Sequence, residues 1–385
     1  MNAEEAKVAL EKARAIPIEH RFVARLKISR RAEKASMSDK DALVQFADSV
    51  DQIISLGVYP TARVRREIYS IARHRHDEPL CLKTTEGLVK NVERGSNVIF
   101  CTGAVTLKPL IMPKGETCGA LGTASLARAL NLGLKAKPIV LCEPVLVEGV
   151  KVACEAAGFT ALTWEEFEEC SSGVFVKGFP LNETEARKEA DKILAEMNPR
   201  AIIACTKHGA NSRGQYHTEN GINTTPSRMK TSILFERAKE KRIFTVGLAE
   251  GVNKIGVTGD PELLGKIKEV LPNKGRCGCS PESPCGGAGW ISTTPCDAFV
   301  FSGVSSNPAA WGVEACLAAM FKDMNLLHDG ETERRILHMS VDIGQMIDAG
   351  TGRRVYGVDG FPEAANIGLL EVLRASTQKY VNSMT

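Results

Sequence analysis

NVIFCTG at 97–103 and KPIVLCEP at 137–144 decide how the chain folds. Both are short, almost wholly apolar and rich in branched residues, and each ends abruptly in small or polar residues. Between them lies a glycine-bearing loop, GETCGALG at 115–122, and the helical run ASLARALNLG at 124–133. A fully apolar strand, a polar loop, an amphipathic helix and a second apolar strand make a β-α-β unit. Strands without an exposed polar side belong to a parallel sheet covered on both faces.

The same grammar continues in both directions. VEGVKVACEAAG (147–158) reads as a helix closed by Gly158, a natural C-cap. EARKEADKILAEM, KTSILFERAKEKR, PELLGKIKEVL and AAWGVEACLAAMFK read as further helices, and AIIACTKHG, IFTVGLAEG and AFVFSGVSS as further strands. Upstream, glycine becomes scarce, and DALVQFADSVDQIISLG repeats its apolar residues every three or four positions. RREIYSIARHRH begins another such stretch. The expected architecture is α/β, a mostly parallel sheet with helices on both faces. A helical N-terminal segment, 1–80, precedes an α/β domain over 81–385.

Composition narrows the function classes. The 385 residues are 43% hydrophobic and 25% charged, with a net charge of +3, a balance too weakly basic to argue for nucleic acid. The densest basic stretch, RLKISRRAEK at 25–34, reads as a solvated helix face. No apolar run reaches the ~20 residues that span a bilayer, and the first residues carry acids where a secretory signal has an apolar core. The expected setting is cytoplasmic, without a membrane or nucleic-acid partner, and the helical N-terminal segment offers a surface for homo-oligomer formation.

The twelve cysteines are expected as thiols in a chain of this size. Cys101, Cys142, Cys154, Cys205 and Cys316 lie in apolar runs and read as small core residues. RCGCSPESPCGG (276–287) is different, with Cys277, Cys279 and Cys285 in a loop of glycine, proline and serine. Their spacing matches no common four-ligand zinc site and supplies only three ligands, so they are read as reduced thiols.

In parallel sheets, ligands bind at the carboxyl ends of the strands. The loops there carry Thr102, Glu116, Cys118, Glu143, Lys207, His208, Glu250, Asn253, Lys254, Ser305 and Ser306, which places them on one rim. Gly103 and Gly119 permit close backbone approach, and Thr117 opens the following helix, whose N–H groups suit a carboxylate or phosphate. These residues, with Asn253, Ser305 and Ser306, form the expected substrate-binding set. His208 titrates near neutrality and suits acid–base work; Lys207 suits a substrate carboxylate. Cys118 at a helix start suits a thiolate nucleophile. Glu116 and Glu250 suit proton transfer or a hard divalent ion. No P-loop and no credible G-x-G-x-x-G occurs, so no nucleotide cofactor is expected. His74 and His76 read as part of a solvated loop.

GETCGALGTASLARAL (115–130), TKHGANSRGQYHTENGINTTP (206–226), LAEGVNKIGVTG (248–259), SGVSSNPAAWGVEA (302–315) and YGVDGF (356–361) together resemble the D-glutamate cyclase-like family. The order and spacing agree over roughly 95–365. The resemblance implies an α/β fold and a site made from these loops. It implies cyclisation of D-glutamate to 5-oxo-D-proline with loss of water, a lyase reaction, or a related lactam or lactone chemistry that includes hydrolysis. Mn²⁺ or Mg²⁺ at Glu116 and Glu250 is implied as cofactor, and a divalent-metal-dependent phosphatase or a non-catalytic small-carboxylate binder are the alternatives. Catalytic roles fall to Glu116, Cys118, Lys207, His208, Glu250 and Lys254.

Three departures stand out. Cys118 occupies the place of an aspartate after G-E-T. Glu250 replaces an aspartate of the G-D-G-G-N-E stretch. Lys254 reverses its terminal acid. The chain therefore reads as a divergent member in which Lys254 takes over a cation's electrostatic role.

Overall fold

The computed structural model describes residues 38–57, 61–106, 114–258 and 260–384. The basic stretch 25–34 and the start of the expected N-terminal helical segment lie outside them. Contacts group Phe46–Thr385 into one unit and Met1–Gln45 into another; everything below concerns the larger unit. Three helices come first, α1 (Asp39–Ile54), α2 (Ala62–His74) and α3 (Leu80–Asn91). The sheet then begins with β1 (Asn97–Cys101), followed by α4 (Thr117–Leu134), β2 (Lys137–Cys142), α5 (Val147–Ala156), β3 (Thr160–Leu162), α6 (Trp164–Glu169) and β4 (Gly173–Gly178). After α7 (Glu183–Glu196) come β5 (Ala201–Cys205), α8 (Thr231–Glu240), β6 (Phe244–Ala249), α9 (Pro261–Val270), β7 (Ala298–Phe301) and α10 (Ser306–Phe321). Helices α11 (Gly330–Asp342) and α12 (Glu363–Met384) follow.

The seven strands of the main sheet pair in parallel, in the spatial order β3-β4-β2-β1-β5-β6-β7. The α/β expectation holds. The chain starts in the middle, winds outward through β2 to β4 and β3, then returns to build β5, β6 and β7 on the other side of β1. The direction of winding reverses between β1 and β5, and such a switch point opens a crevice above the strand ends. The loops after β1 and β5, which hold Thr102 and Lys207, flank that crevice.

Burial explains why these strands lack a polar face. On one side, Ile99 and Cys101 of β1, Ile139 and Leu141 of β2 and Ile202 and Ala204 of β5 pack with Ile193, Leu194, Leu234 and Phe235 of α7 and α8. Val98, Phe100 and Val140 point the other way and are equally buried, on the face where α4 packs against β2 and β5 and α10 against β5, β6 and β7. Each such side chain contributes about 1.5–3 kcal/mol relative to exposure. A second cluster joins Ile68 and Ala72 of α2, Leu263 and Ile267 of α9 and Phe299 and Phe301 of β7.

The structure departs from the sequence pattern in two places. Helix α10 begins at Ser306 and includes Pro308, which the first turn tolerates because its N–H groups have no helical partner there. His74 is the exposed last residue of α2, and the half-buried His76 in the loop after it meets Lys83 Nζ at 2.8 Å through Nδ1, so the solvated setting expected of the pair holds fully only for His74.

The N-terminal helices also shape the strand ends. Ile54 O accepts from Gly303 N at 2.9 Å and from Ser302 Oγ at 3.0 Å, while Arg65 donates to the carbonyls of Gly303 and Val304. The loop that carries Ser305 and Ser306 is thus held by α1 and α2. A Cβ on Gly303 would stand 2.4 Å from Ser55 O, so only glycine lets the loop lie this close.

Candidate active site at the strand ends

Lys207 and Glu143 form the floor. Lys207 Nζ donates to both Glu143 carboxylate oxygens at 2.6 Å, to Gly103 O at 2.7 Å and to Thr102 O at 3.2 Å. Lysine and glutamate side chains are 1% and 0% exposed. Glu143 also accepts from Met229 N at 3.2 Å. Every donor of the ammonium is spent on the protein, so Lys207 ties the β1, β2 and β5 loops together. That overturns the expectation that it binds a substrate carboxylate. Gly103 contributes its carbonyl to this brace, with a φ of 87° that favours glycine.

Above this floor sits a second buried cation. Lys254 Nζ lies 3.0 Å from Glu250 Oε1 and 3.4 Å from His208 Nε2, and Ser306 Oγ donates to Glu250 Oε2. A backbone bridge pairs His208 with Lys254. Burial opposes charge on Lys254, but the carboxylates around it, Glu250 foremost, outweigh that and hold its pKa above the ordinary lysine value. Burial likewise pushes Glu250 up, and Lys254 and Ser306 more than offset it, leaving a carboxylate. His208 is driven well below the usual histidine range by burial and then by Lys254, Arg228 and Lys207. It is neutral at pH 7. Because Lys254 donates to Nε2, the histidine proton is assigned to Nδ1.

Several N–H groups at the foot of α4 are already taken up by the protein. Cys118 and Gly119 have non-helical backbone angles, and the regular helix starts after them. Asn307 Oδ1 accepts from Gly119 N at 2.8 Å and from Gly122 N at 3.1 Å, so a side chain from α10 fills the anion position expected for substrate. Thr117 Oγ1 donates to Gly357 O at 2.8 Å and its N–H to Ile347 O at 3.0 Å. Thr117 and Gly119 are therefore scaffold. Gly119 is required twice over: its φ is 86°, and a Cβ would lie 2.5 Å from Thr206 Cβ. Glu116, the N-cap residue, is half-buried and adds negative charge around Lys254.

Cys118 is 1% exposed and hydrogen-bonds with Thr206 Oγ1 at 3.1 Å, while Ser306 N donates to its sulfur at 3.4 Å. Burial, followed by Asp359 and Glu250, pushes the thiol well above its ordinary value. A thiolate nucleophile is not what this environment favours. Asp359, which sequence reasoning did not select, lies close enough to Cys118 for each to shift the other's titration. Burial and the Glu250 carboxylate raise its pKa to about 7. The signal was available in the VDG stretch at 358–360, but nothing local ties residue 359 to residue 118.

Five rim side chains hold a buried polar atom without a protein partner: Thr102 Oγ1, His208 Nδ1, Asn253 Oδ1, Ser305 Oγ and Asn307 Nδ2. Buried polar groups are paired in the great majority of cases, so these five atoms are available to water or to a polar ligand. Four of the five are residues that the loop topology had singled out.

A hard divalent ion fits this rim poorly. Glu250 is already bound to an ammonium and a hydroxyl. Among the described residues, Glu116 and Glu250 meet no third acid, cysteine or histidine at ligand spacing. The group that does assemble is elsewhere: His217, Cys277, Cys279 and Cys285, whose ligand atoms all lie within 4.8 Å of one another. These four residues could hold a metal ion, and His217 is the ligand missing from the sequence pattern. A surface concavity of about 500 Å³ between α2 and α9, lined by Ser70, His74, Arg75, Glu262 and Lys266, contains none of the rim residues.

The profile of the D-glutamate cyclase-like C-terminal domain matches residues 69–374. The chain belongs to the D-glutamate cyclase-like family. That match takes in the whole sheet, from β1 to β7, and the strand-end loops. Among curated proteins, none matches the chain. Family membership supports an enzyme, and no described helix is long and apolar enough to cross a membrane.

Proposed function

We propose that this member of the D-glutamate cyclase-like family forms or opens a small lactam, taking D-glutamate and 5-oxo-D-proline or a close relative as its pair, with Lys254 supplying the positive charge. The observation that carries the reading is the position of Lys254. A buried ammonium, fixed by Glu250 and His208, sits in the loop that bears acids in the family pattern, next in sequence to Asn253, whose Oδ1 has no protein partner.

In the cyclising direction the amine nitrogen attacks the side-chain carboxyl carbon. A C–N bond forms, a C–O bond breaks, and the oxygen leaves as water after gaining protons. Three tasks follow for the protein. The developing oxyanion needs a fixed positive group, which Lys254 provides in a site that excludes water. The departing oxygen needs a proton, and Asp359, with a pKa raised to about 7, retains one near neutrality. The substrate ammonium must lose a proton before attack, and Glu116 is the half-buried acid at the rim suited to accept it. His208 Nδ1, Ser305 Oγ and Asn253 Oδ1 orient the substrate's polar groups. Cys118 acts through Asp359 as a positioning residue.

Proton NMR of the purified protein with D-glutamate, and separately with 5-oxo-D-proline, tests this reading. Each is run with and without added Mn²⁺. Turnover without added metal supports lactam chemistry driven by Lys254. Turnover only with Mn²⁺ overturns the role of Lys254 while keeping the reaction. Binding of either compound without turnover leaves a non-catalytic carboxylate binder.

A further inference from the structure

We propose that His217, Cys277, Cys279 and Cys285 bind one structural zinc ion that clamps the loop after β5 onto the loop before β7. The site lies apart from the Lys254 rim, and the proposal does not depend on the reaction assigned there.

Geometry comes first. His217 Nε2 lies 3.3 Å from Cys279 Sγ and 3.5 Å from Cys285 Sγ, and Cys277 Sγ lies 3.4 Å from Cys285 Sγ. Zinc bonds of about 2.3 Å to sulfur and 2.0–2.1 Å to nitrogen, set at tetrahedral angles, give edges of about 3.8 Å between sulfurs and about 3.5 Å from sulfur to nitrogen. These three edges match that tetrahedron to within about half an ångström, and the other three are no longer than 4.8 Å. Three sulfurs and one imidazole are a soft to borderline donor set, which selects zinc over magnesium, calcium or manganese. Four protein ligands close the coordination shell, the mark of a structural site with no open position for substrate.

Asn211 Nδ2 approaches Cys285 Sγ at 3.5 Å while donating to Gly289 O at 2.7 Å. Such N–H donors stabilise negative charge on ligating sulfur and orient it. The Cys-x-Cys pair turns in a glycine- and proline-rich loop with no regular secondary structure of its own. A segment of that kind buries little apolar surface, and a metal staple would supply the order it lacks.

The clamp reaches the rim through backbone bonds. His217 O accepts from Asn253 Nδ2 at 3.0 Å, and Gly209 N donates to Asn253 O at 3.0 Å. The zinc-bound loop thereby fixes Asn253, and with it the turn that carries Glu250 and Lys254.

The test uses the full chain, expressed with zinc in the medium and purified without chelator. Elemental analysis is expected to find about one zinc per chain, and Cys279→Ser and Cys285→Ser are each expected to lose at least about 10-fold in zinc occupancy. Cys170→Ser, outside the group, retains it. Should the variants fail to fold, cobalt exchanged into the wild-type protein gives an independent reading. Intense ligand-field bands of tetrahedral Co²⁺ with sulfur-to-cobalt charge transfer support the site. A metal-free protein, or cobalt spectra without the charge-transfer band, overturns it. So does a Cys277–Cys285 disulfide recovered by peptide mapping from freshly purified protein.

Discussion

Lys254 Nζ stands 3.0 Å from Glu250 Oε1 within one buried turn, so the loop that bears acids in the family pattern here neutralises itself. The turn brings its own cation, and the consequences of that internal pair can be measured.

Removing the ammonium removes the fixed positive charge. Lys254→Met is expected to lower kcat by about 10²–10³-fold, the scale of losing one preorganised oxyanion donor. Lys254→Glu places a second carboxylate beside Glu250. Its melting temperature is expected to fall and to recover on adding Mn²⁺, because like charges buried together need a counter-ion. Thermal melts with and without the ion check this; an unchanged melting temperature in both conditions counts against the pairing.

Lys207 is a brace, and its loss is expected to appear in stability. Lys207→Met strands the Glu143 carboxylate in the core, an uncompensated charge costing about 3–5 kcal/mol. Combining it with Glu143→Gln is expected to recover part of that. Urea unfolding of the two single variants and the double variant gives the coupling. A Lys207→Met protein with wild-type stability would show that the ammonium is not held as described.

Asp359 carries the pH dependence. Its pKa, raised to about 7 by burial and by Glu250, means that the protonated acid is lost as pH climbs through that value. A reaction that needs its proton declines on the alkaline side with a midpoint near 7. Asp359→Asn is expected to flatten that limb and to cost about 10²–10⁴-fold in rate. The pH–rate profile of both proteins decides it.

Stability at high pH should report on a different buried group. His328 donates from Nδ1 to Glu314 at 2.7 Å and from Nε2 to Glu333 at 2.9 Å. Burial pushes its pKa down, but the two glutamates outweigh burial and raise it to about 10 from 6.5. The folded protein therefore holds a proton more tightly than the unfolded chain. The stabilisation is complete below about pH 6.5 and fades as pH rises through about 10. Buried thiols also weaken the fold at alkaline pH, so the comparison is with His328→Gln. Its stability is expected to be lower than wild type at pH 6 and to converge with it toward pH 10.

Much of this architecture was legible in the sequence. VIF, IVL and AII at the starts of three β-α units have no polar face, and a strand of that kind has to be covered on both sides. Parallel strands then put their following loops on one rim, an arrangement in which His208 meets Lys254 and Glu250 meets Ser306 across different loops. The roles of individual rim residues were less accessible. Lys207 and Lys254 both follow strands, yet one spends its donors on Glu143 and two carbonyls while the other meets Glu250 and a histidine.

By itself the sequence determined the parallel α/β sheet, the loops at its carboxyl edge and the charge reversal at Lys254. Those features follow from local periodicity and from residue identity. Only the tertiary structure joined Cys118 to Asp359, set Asn307 over the foot of α4, and brought His217 to the three cysteines of the 277–285 loop. Each of these groupings links side chains separated by 60 or more residues. Their meeting depends on strand order and helix packing, and a linear pattern carries neither.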